Sequence, residues 1–157
     1  MSEKESNVES EPTENELTIT RVFDAPRHLV FEAWTNPEHL KQWFAPPDFA
    51  LLKLEGEYRE GGTWLSRMHC SNYGTVQMSG TYQEIIPDAK LVFTHAWDEE
   101  FGGTGRETLI TVTFADQDGK TLMNFHQATF TSKEIRDDHI GGWTQFFNHL
   151  DEYLAQG

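Results

Sequence analysis

Residues 131–154 read TSKEIRDDHIGGWTQFFNHLDEYL and have the pattern of one long amphipathic helix. Their large apolar residues recur three and four positions apart, on one helical face; they are Ile140, Trp143, Phe146, Phe147, Leu150, Tyr153 and Leu154. Thr131 and Glu134 have the spacing of a capping box, so the helix is predicted to begin there. About 24 residues at roughly 1.5 Å each span about 36 Å, enough to cross a small domain.

Two adjacent glycines, Gly141 and Gly142, lie inside this helical pattern. Each glycine costs about 1 kcal/mol relative to alanine in a helix. One interpretation is that they separate two shorter helices. The favoured interpretation is a single helix that packs so closely here that no side chain fits, in which case Gly142→Leu would destabilise the fold by overpacking.

The composition limits the classes of partner. The chain has 157 residues, with 12 Lys and Arg against 26 Asp and Glu, for a net charge of -14. Such a chain is expected to repel nucleic acid and anionic membrane surfaces. Its single cysteine, Cys70, allows no internal disulfide. We find no signal-peptide pattern and no apolar run long enough for membrane insertion, so a cytoplasmic location is expected.

The order of predicted elements defines an α+β protein. Residues 1–15 are acidic and poor in apolar side chains, which predicts a disordered tail before a single domain at 16–157. Helix-start signals at 24–26 and 36–38 predict two short helices after the first strand, the second ending at Pro46-Pro47. Alternating apolar and polar residues predict seven strands: 17–23, 49–54, 61–69, 75–86, 90–97, 108–114 and 121–127. An antiparallel sheet of this size curls, and we expect the long helix to cover its concave face and leave a cavity.

Short sequence runs resemble a known superfamily in order and spacing. The runs are FDAP at 23–26, WTNPE at 34–38, WFAP at 43–46, GG at 61–62, GTYQEI at 80–85, LVFT at 91–94 and GW at 142–143. They resemble the START-like superfamily called SRPBCC, and within it the branch named after the activator of heat-shock protein 90 ATPase. The resemblance covers about 17–154. It implies the helix-grip fold, with a deep and largely apolar pocket between sheet and helix that members use for lipids, steroids and polyketides.

The candidate ligand-binding residues lie on faces predicted to point inward. They are Trp43, Trp64, Ser66, Met68, Tyr82, Phe93, His95, Trp97, Gln127, Trp143 and Phe147. Aromatic residues also fill ordinary cores, so each of them has a purely structural alternative. His95, Ser66 and Gln127 are polar, and each needs a hydrogen bond, a water or a ligand when buried.

Motifs for metal, phosphate and nucleophile chemistry are missing from the sequence. The seven histidines show no metal-ligand spacing, and the glycine-rich run at 102–105 lacks the lysine of a phosphate-binding loop. We therefore predict no metal and no cofactor, and assign no catalytic residue.

Three functions are compatible with this pattern. The first is the binding of a small hydrophobic molecule, aromatic or lipid-like, in the pocket. The second is a small enzyme of the cyclase, dehydratase or hydrolase kind, with His95 or Tyr82 as proton donor in that pocket. The third is contact with the chaperone, which the family name alone suggests. It is the least favoured, because stimulators of the chaperone carry an additional domain for which 157 residues are expected to leave no room.

Overall fold

The computed structural model describes residues 7–9, 15–45, 48–72 and 74–156. Within these ranges the strands are β1 (Asn7–Glu9), β2 (Glu16–Phe23), β3 (Ala50–Gly56), β4 (Thr63–Cys70), β5 (Gly74–Ile86), β6 (Lys90–Trp97), β7 (Thr108–Gln117) and β8 (Lys120–Ala128). The helices are α1 (Arg27–Thr35), α2 (Pro37–Leu40) and α3 (Lys133–Ala155), and a short 3₁₀ turn spans Glu99–Phe101. The predicted α+β helix-grip architecture is confirmed.

All the strands belong to one antiparallel sheet. The strand order across the sheet is β1-β2-β8-β7-β6-β5-β4-β3. The last strand, β8, therefore returns to pair with β2, near the start of the chain. Ile19 of β2 is paired with Phe125 of β8, and both side chains are buried. Alternate residues of each strand face the long helix, because successive side chains of a strand point to opposite faces.

Helix α3 packs its aromatic face onto the concave side of the sheet. Trp143, Phe146, Phe147 and Leu150 are buried there. A buried ion pair adds a polar connection, since Arg21 Nη2 of β2 lies 3.6 Å from an oxygen of Asp151. The long helix and its apolar face are therefore as the sequence predicted.

The start of α3 differs from the prediction by one residue. Ser132, and not Thr131, is the N-cap, and its hydroxyl accepts a hydrogen bond from Ile135 N at 3.2 Å. Because the third helical residue is then the apolar Ile135, Glu134 cannot complete a reciprocal capping box.

The single helix is confirmed, and the close packing expected at its two glycines is wrong. Helix α3 continues without a break through Gly141 and Gly142, and a Cβ built on either would meet no atom within 4 Å. A glycine that does permit a close approach is Gly80 on β5, where a Cβ would lie 1.8 Å from the carbonyl oxygen of Thr94. The Gly142→Leu substitution therefore has no steric penalty at its Cβ.

The two short helices close one end of the grip. Asn36 caps α2 as predicted and accepts from Glu38 N at 3.0 Å. Helix α1, in contrast, begins after Pro26 without a side-chain cap, so Asp24 does not have the predicted capping role. Helix α2 ends at Leu40, earlier than predicted, and the turns after it carry Trp43 into the core. The predicted stop at 46–47 lies outside the described residues.

A short strand, β1, and Asn15 lie within the range that the sequence predicts as a disordered tail. Asn7–Glu9 pairs with β2 at the sheet edge, and the carbonyl oxygen of Asn15 accepts from Phe130 N at 2.8 Å. An edge strand is held by main-chain hydrogen bonds, so it needs few apolar side chains. Residues 1–6 and 10–14 of the predicted tail lie outside the described residues. In the described ranges, no helix is both long and apolar enough to cross a membrane.

Replacing Gly141 with alanine should stabilise the protein by about 1 kcal/mol, because the helix gains propensity and the new methyl group meets open space. Urea unfolding followed by circular dichroism measures the change. Gly80→Ala is the matched control and should destabilise strongly, because its Cβ would overlap the Thr94 carbonyl. A loss of stability in Gly141→Ala would contradict the described environment of α3.

Candidate functional site

Two adjoining recesses lie between the sheet and α3. The helix-side recess has a volume of about 180 Å³ and is lined by Met78, His95, Trp97, Asp138, His139, Gly142, Trp143 and Phe146. The loop-side recess has a volume of about 220 Å³ and is lined by His95, Trp97, Gly102, Gly103, Thr104, Arg106, Thr108, Thr129, Phe130, Thr131, Ile135 and His139. Because His95, Trp97 and His139 line both, these three side chains form the wall between them.

The helix-side recess exists because one helical position has no side chain. Gly142 lies on α3 beside Trp143 and one turn after His139 and Asp138, all of which line the recess. A Cβ at Gly142 would enter open space. The sheet supplies the opposite wall through Met78 of β5 and His95 of β6. The glycine therefore keeps the recess open.

The dividing wall is fixed by a chain of hydrogen bonds. Trp97 Nε1 donates to His139 Nε2 at 3.0 Å, so this nitrogen must be the unprotonated one. His139 Nδ1 donates to the carbonyl oxygen of Ile135 at 2.8 Å. Burial lowers the pKa of His139, which agrees with a neutral imidazole whose two nitrogens both have partners.

His95 is a fully enclosed neutral imidazole. It is 1% exposed, and its Nε2 lies 3.1 Å from the sulfur of Met78. Burial, and after it the neighbouring His139, lowers the pKa of His95 to about 3. A histidine with such a pKa is a neutral imidazole at neutral pH, whose remaining N–H is a very weak acid and whose other nitrogen is a weak base. His95 therefore contributes to the wall of the site as a neutral imidazole.

Tyr82 is equally unsuited to proton transfer. Burial raises its pKa far above the usual range for tyrosine, and its ring packs against Tyr58 and Phe93. Tyr82 lines neither recess. Of the two candidate acids from the sequence, Tyr82 does not reach the recesses, and His95 lines both of them as a neutral imidazole.

A polar chain connects the helix to three strands behind the site. Trp143 Nε1 donates to Gln127 Oε1 at 2.8 Å, and Gln127 Nε2 donates to Thr108 Oγ1 at 2.8 Å. The Thr108 hydroxyl in turn donates to the carbonyl oxygen of His95 at 3.1 Å. Gln127 thus has partners inside the protein and is not free for a ligand.

Three of the candidate ligand-binding residues line the recesses, namely His95, Trp97 and Trp143. The structure places the remainder in the buried core behind them: Trp43, Trp64, Ser66, Met68, Tyr82, Phe93, Gln127 and Phe147. Within the described residues, the Ser66 hydroxyl has no hydrogen-bond partner and lines neither recess. Trp64 also borders a wider groove of about 650 Å³ at the outer face of β4 and β5.

The recesses are smaller than the single deep cavity expected from the sequence. Trp34 of α1 explains the difference, because its ring lies between sheet and helix, 6.3 Å from Phe125 and 6.1 Å from Phe147 between ring centroids. Trp43 packs against it edge-on at 4.9 Å. The short helices thus fill the end of the grip that they close.

Other lining residues were not among the candidates from the sequence. His139 could have been found by its helical spacing, since it lies four residues before Trp143 and shares its face. The loop between β6 and β7 carries no comparable signal, because Gly102, Gly103, Thr104 and Arg106 follow no period. Across the described residues, no group of histidine, cysteine, aspartate and glutamate has an arrangement that could hold a metal ion.

A curved antiparallel sheet that holds a long C-terminal helix, with recesses between them, defines a helix-grip protein of the SRPBCC class. The chain belongs to the family described as Activator of Hsp90 ATPase homolog 1-like protein, whose family model matches residues 24–155. The predicted family is therefore confirmed.

Solved structures of the same fold come from several bacteria. A protein from Rhodobacter sphaeroides superposes with a TM-score of 0.83 at 21% identity, over 98% of this chain and 100% of that one. Ms6760 from Mycobacterium smegmatis superposes with a TM-score of 0.80 at 21% identity, over 94% of this chain and 95% of that one. CV1439 from Chromobacterium violaceum superposes with a TM-score of 0.79 at 24% identity, over 89% of this chain and 96% of that one. At these identities the likeness shows the fold alone. No curated protein matches the chain.

The buried state of His95 predicts a pH dependence of stability. An unfolded histidine titrates near 6.5 and folded His95 near 3, so below pH 6.5 the unfolded state binds a proton that the folded state excludes. Stability should therefore fall by about 2 kcal/mol from this residue between pH 7.5 and pH 5. Protonation at low pH also lowers stability through His139, whose pKa burial lowers. Exposed His28 has the opposite effect on stability, because its hydrogen bond to Asp88 raises its pKa.

Urea unfolding of the wild type and of His95→Gln at both pH values isolates the contribution of His95. The stability advantage of the wild type should shrink at pH 5, because glutamine does not titrate. Imidazole NMR provides a test that does not require the variant to fold. A His95 titration midpoint between pH 6 and 7 would contradict the described burial.

Proposed function

We propose that the protein binds a small hydrophobic, ring-containing molecule between the sheet and α3. The observation that carries the proposal is the helix-side recess, which remains open at Gly142 and is faced by Met78, Trp97, Trp143 and Phe146. Apolar and aromatic walls with few polar groups are typical of small-molecule sites. Trp97 and Trp143 already direct their indole N–H groups to protein acceptors, so they offer ring surface to a guest.

The size of the recess sets the scale of the affinity. A single aromatic ring that buries about 150 Å² of apolar surface gains about 4 kcal/mol, at roughly 25 cal/mol per Å². Because immobilising the ligand costs entropy, a dissociation constant of about 1 mM is the tightest that this gain alone can provide. Tighter binding requires either contact with both recesses or a polar anchor.

The enzymatic alternative has no specific observation in its favour. The pKa of His95 is too low and Tyr82 is too deeply buried for proton transfer at neutral pH. We therefore assign no reaction, no catalytic residue and no cofactor. A contact with the chaperone rests on the family description alone. We also propose a cytoplasmic location, which the single free and buried Cys70 supports.

The adjacent glycines of α3 provide a matched test of the binding site. Gly142→Leu should lower the affinity for a neutral ring compound such as indole at least tenfold, because the leucine side chain occupies the recess. Gly141→Leu makes the same substitution at an exposed position that does not line the recess, and should bind indole as the wild type does. Isothermal titration calorimetry measures both.

Equal affinity of the two variants would exclude the helix-side recess as the site. Native mass spectrometry of protein purified from its own host tests the wider proposal by searching for a retained small molecule. No retained molecule, together with no binding in a screen of neutral ring compounds, would contradict ligand binding altogether.

A further inference from the structure

Most of the positively charged side chains that the structure describes have a partner within the protein. Acidic residues outnumber Lys and Arg by 26 to 12. Arg21, Lys41, Lys53, Arg59, Lys90 and Arg136 form ion pairs, and Arg27, Arg67 and Lys120 have other partners. In the part of the chain that the structure describes, the side chains of Arg106 and Lys133 alone lack such a contact. A cation without a partner is unexpected where carboxylates are so abundant.

One of these cations lines the loop-side recess, and the other is close to its lining residues in sequence. Arg106 lines the recess from the β6–β7 loop. Lys133 begins α3 between Thr131 and Ile135, which line the recess from the opposite side. The first turn of a long helix adds a positive potential at the same place. No aspartate or glutamate is among the residues that line this recess.

The remainder of the recess provides an apolar surface beside this charge. Trp97, Phe130 and Ile135 contribute apolar side chains, and the His139 ring packs on Phe130 with 4.9 Å between centroids. Thr104 and Thr129 add hydroxyl groups at exposed positions of the lining. The recess therefore combines aromatic walls with one guanidinium and a second cation nearby, in a volume of about 220 Å³.

We propose that the loop-side recess binds a small aromatic carboxylic acid, with the carboxylate on Arg106 and the ring against Trp97 and Phe130. This inference rests on the proposed ligand-binding function and names its chemical class. The planar fork of a guanidinium matches a carboxylate with two parallel hydrogen bonds, which fixes the ligand's orientation. The charged end belongs in this recess because the helix-side recess is bordered by Asp138, which repels an anion.

Calorimetry with matched acids and amides tests the chemical class. The probes are 3-phenylpropionate and indole-3-acetate at pH 7.5, each compared with its neutral amide. For the full-length protein we expect each acid to bind at least tenfold more tightly than its amide. Added salt should weaken the binding of the acids and leave that of the amides unchanged.

Arg106→Gln should reduce the affinity for the acids at least tenfold and leave the affinity for the amides unchanged. The side chain of Arg106 is exposed, so the variant is expected to keep the melting temperature of the wild type. Lys133→Gln should cause a smaller loss, of a few fold. Arg59→Gln is the matched control, because Arg59 is exposed, pairs with Glu57 and lines neither recess.

The outcomes separate this inference from the proposed function. Amides that bind as well as acids, or an Arg106→Gln variant that weakens both equally, would overturn the carboxylate assignment while ligand binding stands. If neither acids nor amides bind, the carboxylate assignment is overturned, and the indole titration and the ligand screen then decide separately whether the proposed ligand binding stands. A loss confined to the acids in Arg106→Gln, but absent from Arg59→Gln, supports the assignment.

Discussion

The contact between Trp143 of α3 and Phe125 of β8 fixes the position of the long helix on the sheet. Their ring centroids lie 4.8 Å apart, and Phe147 packs on the same phenylalanine at 5.2 Å. The indole N–H of Trp143 donates to Gln127, two residues along the same strand. One tryptophan thus combines apolar packing with a directional bond, and this determines which helical positions face β5 and β6. The location of both recesses depends on that register.

The polar groups of the site are arranged so that few remain for a ligand. The imidazoles of buried His95 and half-buried His139 are neutral, and the indole N–H groups of Trp97 and Trp143 have protein acceptors. The amide of Gln127 forms hydrogen bonds through both its oxygen and its nitrogen. A site of this kind recognises a guest mainly by shape and apolar contact, because an unpaired polar group of the guest would lose its hydration without compensation. For the proposed ligand, selectivity then comes from the rim, where Arg106 of the loop after β6 supplies charge.

The elements with a strong period were predictable from the sequence. Strand β6 begins and ends at the predicted residues, and the apolar face of α3 is the predicted one. The glycines of α3 were misinterpreted because a missing side chain looks the same in sequence whether a neighbour or empty space replaces it. The pocket was overestimated because no local pattern shows that Trp34 enters it. Arg106 was missed because an irregular loop has no period to reveal which residues face inward.

The wall between the two recesses is held by a weak constraint. A neutral hydrogen bond such as that of Trp97 to His139 contributes about 0.5–1.5 kcal/mol, and rotation of a side chain at an exposed rim takes picoseconds to nanoseconds. Trp97 is only partly buried, at the end of its strand. Rotation of this indole would remove one of the three side chains that separate the two recesses. The space open to a guest therefore depends on a side-chain rotamer, and not only on the backbone of the grip.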